Sequence, residues 1–258
     1  GGVLAFSGVV TAWLCTHGTS FPLAVLGGIA AGMIIGVTNG FLVVVTRITP
    51  VIATLGTMYI SRGVAFLLSD GKAIVTGLPE EFKLPGRSYI GPIPTPVITT
   101  AIIFIIFYIL LHRTILGKYT YAIGCNRETA ILSGINVGLV QFILYTLGGL
   151  ATGLAGVIMA SRLASGQPNI GYGFEFDVIV AIILGGTSLA GGEGTVFGTV
   201  VGALIVQVLR NGLNLMGVHT FWQYIFQGGT LVLAVILDMS LKGQGISLEG
   251  LKKLLSRR

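Results

Sequence analysis

Residues 21–45 read FPLAVLGGIAAGMIIGVTNGFLVVV. The stretch has no charged side chain, and as a helix it is longer than the ~30 Å hydrocarbon core of a bilayer. Its glycines Gly28, Gly32, Gly36 and Gly40 recur every four residues and share one helix face. Such ridges let helix backbones approach closely where lipid supplies no hydrophobic drive. The expectation is a tightly packed membrane helix.

The flanking sequence has the same character. Eight hydrophobic segments are legible, at about 1–16, 22–46, 49–68, 96–112, 137–161, 177–190, 195–216 and 222–239. Apolar residues make up 53% of the chain and charged ones 9%, against about 25% charged in soluble domains. A membrane β-barrel would show alternating segments of ~10 residues, which are absent. The reading is an all-α, polytopic transmembrane helix bundle forming a single domain over 1–258. The chain opens on GGVLAFSGVVTAWL without a flanking polar anchor, so further spans are expected upstream. Segment 177–190 is short and carries Gly185 and Gly186, which leaves a full span, a half-helix and a re-entrant piece all open. Further glycine ridges run through Gly149 and Gly153, and through Gly194, Gly198 and Gly202.

Basic residues orient the chain. Arg47 follows the second segment, and His112, Arg113, Lys118 and Arg127 follow the fourth. Lys242, Lys252, Lys253, Arg257 and Arg258 make a basic tail at 242–258. If every segment spans, all three regions fall on one side, which the positive-inside rule makes cytoplasmic, with the C-terminus. The net charge of +6 is thereby assigned to membrane orientation and not to nucleic acid. The loop 69–95 has no charge bias and reads as external.

Polar residues inside spans are costly and face protein or water. Asn39, Arg62, Gln207, Asn211 and Asn214 are the candidates for lining a pathway. Arg62 is equally suited to pairing with Asp70 or with helix-end carbonyls. Gln207, Arg210, Asn211 and Asn214 share a face at helical spacing and suggest a stripe turned toward the bundle interior. Catalytic patterns are missing: there is no HExxH, no GxSxG and no GxxxxGK[ST] phosphate loop. Cys15 and Cys125 have no metal-ligand spacing. The chain is therefore read as non-catalytic, neither hydrolysing nucleotide nor holding an intramembrane protease site, without a metal or cofactor of its own. Energy would come from a partner or from an ion gradient. Asp177 and Asp238 lie only at segment ends and Glu193 lies in a glycine turn, which weakens the alternative of an ion-coupled carrier or facilitator for a small polar solute.

One polar segment interrupts the spans: YAIGCNRETAILSGINV at 121–137. Asn126 is suited to N-cap a short helix and Gly134 to end it. Glu128 suits the helix N-terminus.

Four blocks now resemble the permease subunits of bacterial ABC importers for ribose, xylose, arabinose or galactose. They are NGFLVVVTRITPVIATLGTMYISRGVAFLLSDG at 39–71, AIGCNRETAILSGINV at 122–137, SRLASGQPNIGYGFEFDVIVAIILGGTSLAGGEGTVFGTVVGA at 161–203 and LRNGLNLMGVHTFWQYIFQGG at 209–229. The resemblance implies a bacterial inner-membrane protein working with a cytosolic ABC ATPase subunit, which would bind the ATP and Mg. It also implies a periplasmic sugar-binding protein and a second permease copy or paralogue. ABC permeases carry an EAA-xxx-G pattern in a cytoplasmic coupling helix. Here Glu128, Thr129, Ala130 and Gly134 correspond, with threonine in place of the middle alanine. Gly124, Asn126 and Asn136 complete the segment expected to dock on the ATPase.

Overall fold

The computed structural model describes residues 1–241; the basic tail at 242–258 lies outside the described residues, as does the side chain of Asp238. The chain divides into two compact units, Gly1–Leu110 with Ala130–Tyr172, and Leu111–Thr129 with Gly173 onward.

The first unit is built on α1 (Gly2–Thr16), α2 (Phe21–Val44), α3 (Pro50–Leu68) and α8 (Val137–Leu163). Prolines at the first turns of α2 and α3 suit positions whose N–H has no helical partner. The α2 ridge meets the α8 glycines. A Cβ on Gly32 would lie 2.5 Å from the Gly153 Cα and 2.6 Å from the Gly149 carbonyl, and one on Gly36 would lie 2.9 Å from the Gly149 Cα. Only hydrogen atoms fit between these backbones. The two ridges are one interface.

The loop 69–95 is more ordered than its composition suggests. It holds a 3-10 turn (Glu80–Lys83), α4 (Leu84–Arg87) and a hairpin of β1 (Tyr89–Ile90) and β2 (Ile93–Pro94). Phe82 is 1% exposed and joins a core cluster with Ala12, Cys15, Ala24 and Ala160. The buried Gly86 N–H donates to Ser161 Oγ at 2.8 Å, and Ile74 pairs with Gly166 through two backbone bonds. The loop thus closes one end of α1, α2 and α8. α5 (Thr95–Arg113) follows without a buried residue.

The second unit holds α6 (Ile115–Cys125), α9 (Phe174–Leu184), α10 (Val196–Leu215) and α11 (Thr220–Leu241). α9 has 11 residues and extends about 16 Å at 1.5 Å per residue, half a bilayer core. Segment 177–190 is accordingly a half-helix followed by a glycine turn. Its last turn rests on α10, where a Cβ on Gly185 would lie 2.5 Å from the Gly198 carbonyl carbon. α7 (Arg127–Leu132) carries the chain from the second unit back to the first.

Among the described residues five helices are long and apolar enough to cross a membrane: α2, α3, α5, α8 and α10. α1 and the apolar part of α11 (Phe221–Ile236) are shorter. Each of the eight hydrophobic segments holds one of the helices α1, α2, α3, α5, α8, α9, α10 and α11, and they differ in length.

Candidate coupling segment and pathway residues

The polar segment is fixed by its own caps. Asn126 ends α6 in an extended conformation, and its Oδ1 accepts the Thr129 N–H at 3.0 Å, capping α7. Glu128 lies in the first turn, where a carboxylate favours the positive helix end. Two backbone bonds close the far end: the Gly134 N–H donates to Ile131 O at 2.9 Å and the Ile135 N–H to Ala130 O at 3.1 Å. This is a Schellman motif, and Gly134 takes the φ of +81° that it requires. Asn136 Oδ1 then accepts the Leu139 N–H at 3.0 Å and starts α8.

Within this frame Ala130 is buried, whereas Glu128, Thr129 and Gly134 are exposed. Sequence reasoning missed two residues. Leu132 is 88% exposed and Ile131 54% exposed, two large apolar side chains on the surface of an otherwise polar turn. The available signal was an apolar pair placed just before a helix-ending glycine.

The other end of the segment is anchored in the second unit. Gly124 lies against the turn before α10, and a Cβ there would come within 2.9 Å of the Gly192 Cα. Tyr121 donates its hydroxyl to Gly194 O at 2.6 Å. α6 is thereby joined to the glycine turn that links α9 and α10.

The candidate pathway residues do not form one group. Asn39 Oδ1 accepts from Thr57 Oγ1 at 2.7 Å, joining α2 to α3. Arg62 is 5% exposed and donates through Nη1 to Pro168 O at 3.0 Å and Ile170 O at 3.1 Å. Its guanidinium also stacks 3.8 Å from the Tyr172 ring centre. It clamps the 164–172 loop through carbonyls and not through Asp70. In the second unit Arg210 pairs with Asp177 at 2.6 Å, and Gln227 Nε2 donates to Asp177 Oδ1 at 2.6 Å and to Gly173 O at 2.8 Å. Asn214 accepts from Gln223 at 2.8 Å. Gln207 borders a cleft of about 160 Å³ beside Asp177 and Arg210, while Asn211 is exposed. The expected stripe is thus shared between two bonded residues and two outward ones. Among the described residues no three His, Cys, Asp or Glu side chains are grouped to hold a metal ion.

A bundle of apolar helices, several long enough to span a bilayer, defines a multi-pass membrane protein. The family described as "branched-chain amino acid transport system / permease component" matches residues 1–235. The chain is 44% identical to the ribose import permease protein of Bacillus subtilis over 92% of its own length and 74% of that protein. It is 43% identical to the Escherichia coli K12 ribose import permease protein, over 92% and 75%. With the L-arabinose ABC transporter permease protein of Azospirillum brasilense the identity is 40%, over 94% and 71%. The chain belongs to this family of ABC importer permeases. The alternative of an ion-coupled carrier finds no support among these relatives. No solved structure matches the chain significantly.

Proposed function

We propose that this permease forms the path of a ribose-type monosaccharide across the bacterial inner membrane, paired with a second copy or a paralogue. A separate cytosolic ATPase subunit binds and hydrolyses Mg-ATP, and a periplasmic binding protein delivers the sugar. The relatives' names support the sugar and the ATP-driven assembly.

The observation that carries the coupling role is the exposed Ile131–Leu132 pair on a helix fixed at both ends. Burying a leucine side chain stabilises an interface by roughly 1.5–3 kcal/mol, and a preorganised helix loses little entropy on docking. Gly124, Asn126, Glu128, Thr129, Ala130, Gly134 and Asn136 then act as the frame that holds this pair. A cytoplasmic C-terminus is supported within the second unit. Gly124 touches the turn at the start of α10, α10 leads away, and α11 returns after a turn at 216–219.

Leu132→Asp tests the docking. In a strain expressing the whole importer, the variant is expected to reach the membrane at normal levels, to lose copurification of the ATPase, and to cut sugar uptake at least tenfold. Normal uptake by Leu132→Asp would remove α7 as the docking element.

A further inference from the structure

The first unit contains a cavity of about 460 Å³ between the C-terminal half of α2 and the N-terminal half of α8. Gly36, Gly148 and Gly149 form part of its wall, and a Cβ on Gly148 would meet nothing within 4 Å. Asn39, Gln141, Tyr145 and Thr152 also line it, and none of the residues lining it is charged. Asn39 has its Oδ1 engaged by Thr57, which leaves the amide nitrogen as donor. Among the described residues the Gln141 amide and the Tyr145 hydroxyl take no hydrogen-bond partner.

Unpartnered amides and hydroxyls between apolar spans are unfavourable unless they line a space that holds water or a polar solute. The volume falls in the usual range of small-ligand pockets, about 300–1,000 Å³. An amide offers both donors and acceptors, and a hydroxyl offers one donor with acceptor capacity, the same mixture that a sugar's hydroxyls present. A zwitterionic amino acid would need counter-charges for its carboxylate and ammonium, and the lining supplies none. Neutral hydrogen bonds also suit a transit site, where binding must be weak enough for the solute to leave.

We propose that this cavity is a low-affinity transit site for a neutral, polyhydroxylated solute of monosaccharide size, held by Asn39, Gln141 and Tyr145, and that it disfavours amino acids. The proposal rests on the sugar-import reading above and adds the place in the membrane subunit where the solute is held. Gln141 is the residue to test, because it makes no other side-chain bond.

The experiment uses the complete importer, with its ATPase and binding protein, in proteoliposomes, and measures initial uptake of radiolabelled ribose and valine. Wild type is expected to take up ribose and not valine. Gln141→Leu and Tyr145→Phe are expected to lower the ribose rate about 5–10-fold, the loss of one hydrogen bond to the solute. Gln141→Asn, which keeps the amide, is expected to recover part of the rate. A packing role would give the reverse order, since leucine fills apolar space better than asparagine. Wild-type ribose rates in Gln141→Leu, or no advantage of asparagine over leucine, would overturn the cavity assignment and leave the sugar-import reading intact. Uptake of valine without ribose by wild type would overturn that reading itself.

Discussion

Arg62 and Arg210 both stand on apolar helices, and their head groups are held in different ways. Arg62 uses two backbone carbonyls and a tyrosine ring, so no opposite charge is buried with it. Arg210 uses a carboxylate, and Asp177 is further held by Gln227. Asp177 also lies in the first turn of α9, where the helix end favours an anion. Removing one partner of such a pair strands the other, whereas replacing both with apolar groups costs far less. Arg210→Met is therefore expected to lower stability by about 1–3 kcal/mol, reduced from a fully buried pair because these side chains are 27% and 17% exposed. The Asp177→Leu/Arg210→Met double variant is expected to recover most of that loss. Thermal unfolding of the purified variants in detergent checks both. If the double variant is less stable than Arg210→Met, the two side chains do not act as a pair.

Between elements, the α2–α8 seam sets the first unit. Gly32→Val adds side-chain atoms where a Cβ alone would lie 2.5 Å from backbone. No side-chain rotation relieves that contact, so α2 and α8 must separate. The expected loss is at least about 1–3 kcal/mol, read as a lower melting temperature. Gly63→Ala on α3 is the matched control. Nothing lies within 4 Å of its Cβ position, and alanine gains up to ~1 kcal/mol of helix propensity. Equal melting temperatures for the two variants would mean that the seam does not depend on glycine. The ridges themselves were readable from Gly28, Gly32, Gly36 and Gly40, because a four-residue repeat marks one helix face. Their partner was not, since a small-residue ridge specifies close approach but not which helix approaches. The caps Asn126 and Gly134 were likewise legible as local chemistry. The partners of Arg62 were hidden because a carbonyl acceptor has no residue type. Phe82 was hidden because a loop rich in proline and charge gives no periodicity from which to read a core position.

For the molecule as a whole, the segment 122–137 matters because it is covalently continuous with both units and attached inside each. Its first residues rest on the 191–194 turn, which connects the half-helix α9 to α10. Near its end Asn136 caps α8, the helix that carries Gln141 and Tyr145. A partner docked on α7, as proposed above, would pull on the α9–α10 turn at one end of the segment and on the start of α8 at the other. This route requires the segment to face the cytoplasm, and the exposed Cys125 allows that to be measured by thiol labelling. Cys125 is exposed at the end of α6, while Cys15 is buried. A membrane-impermeant maleimide is expected to label the protein in inside-out vesicles and to leave it unlabelled in intact spheroplasts. Cys125→Ser is expected to abolish the signal, because Cys15 is shielded. Adding the ATPase subunit to vesicles stripped of it is expected to slow the labelling, since docking on α7 covers the neighbouring turn. Labelling from the periplasmic side would reverse the orientation, and with it the assignment of α7 to an ATP-driven partner.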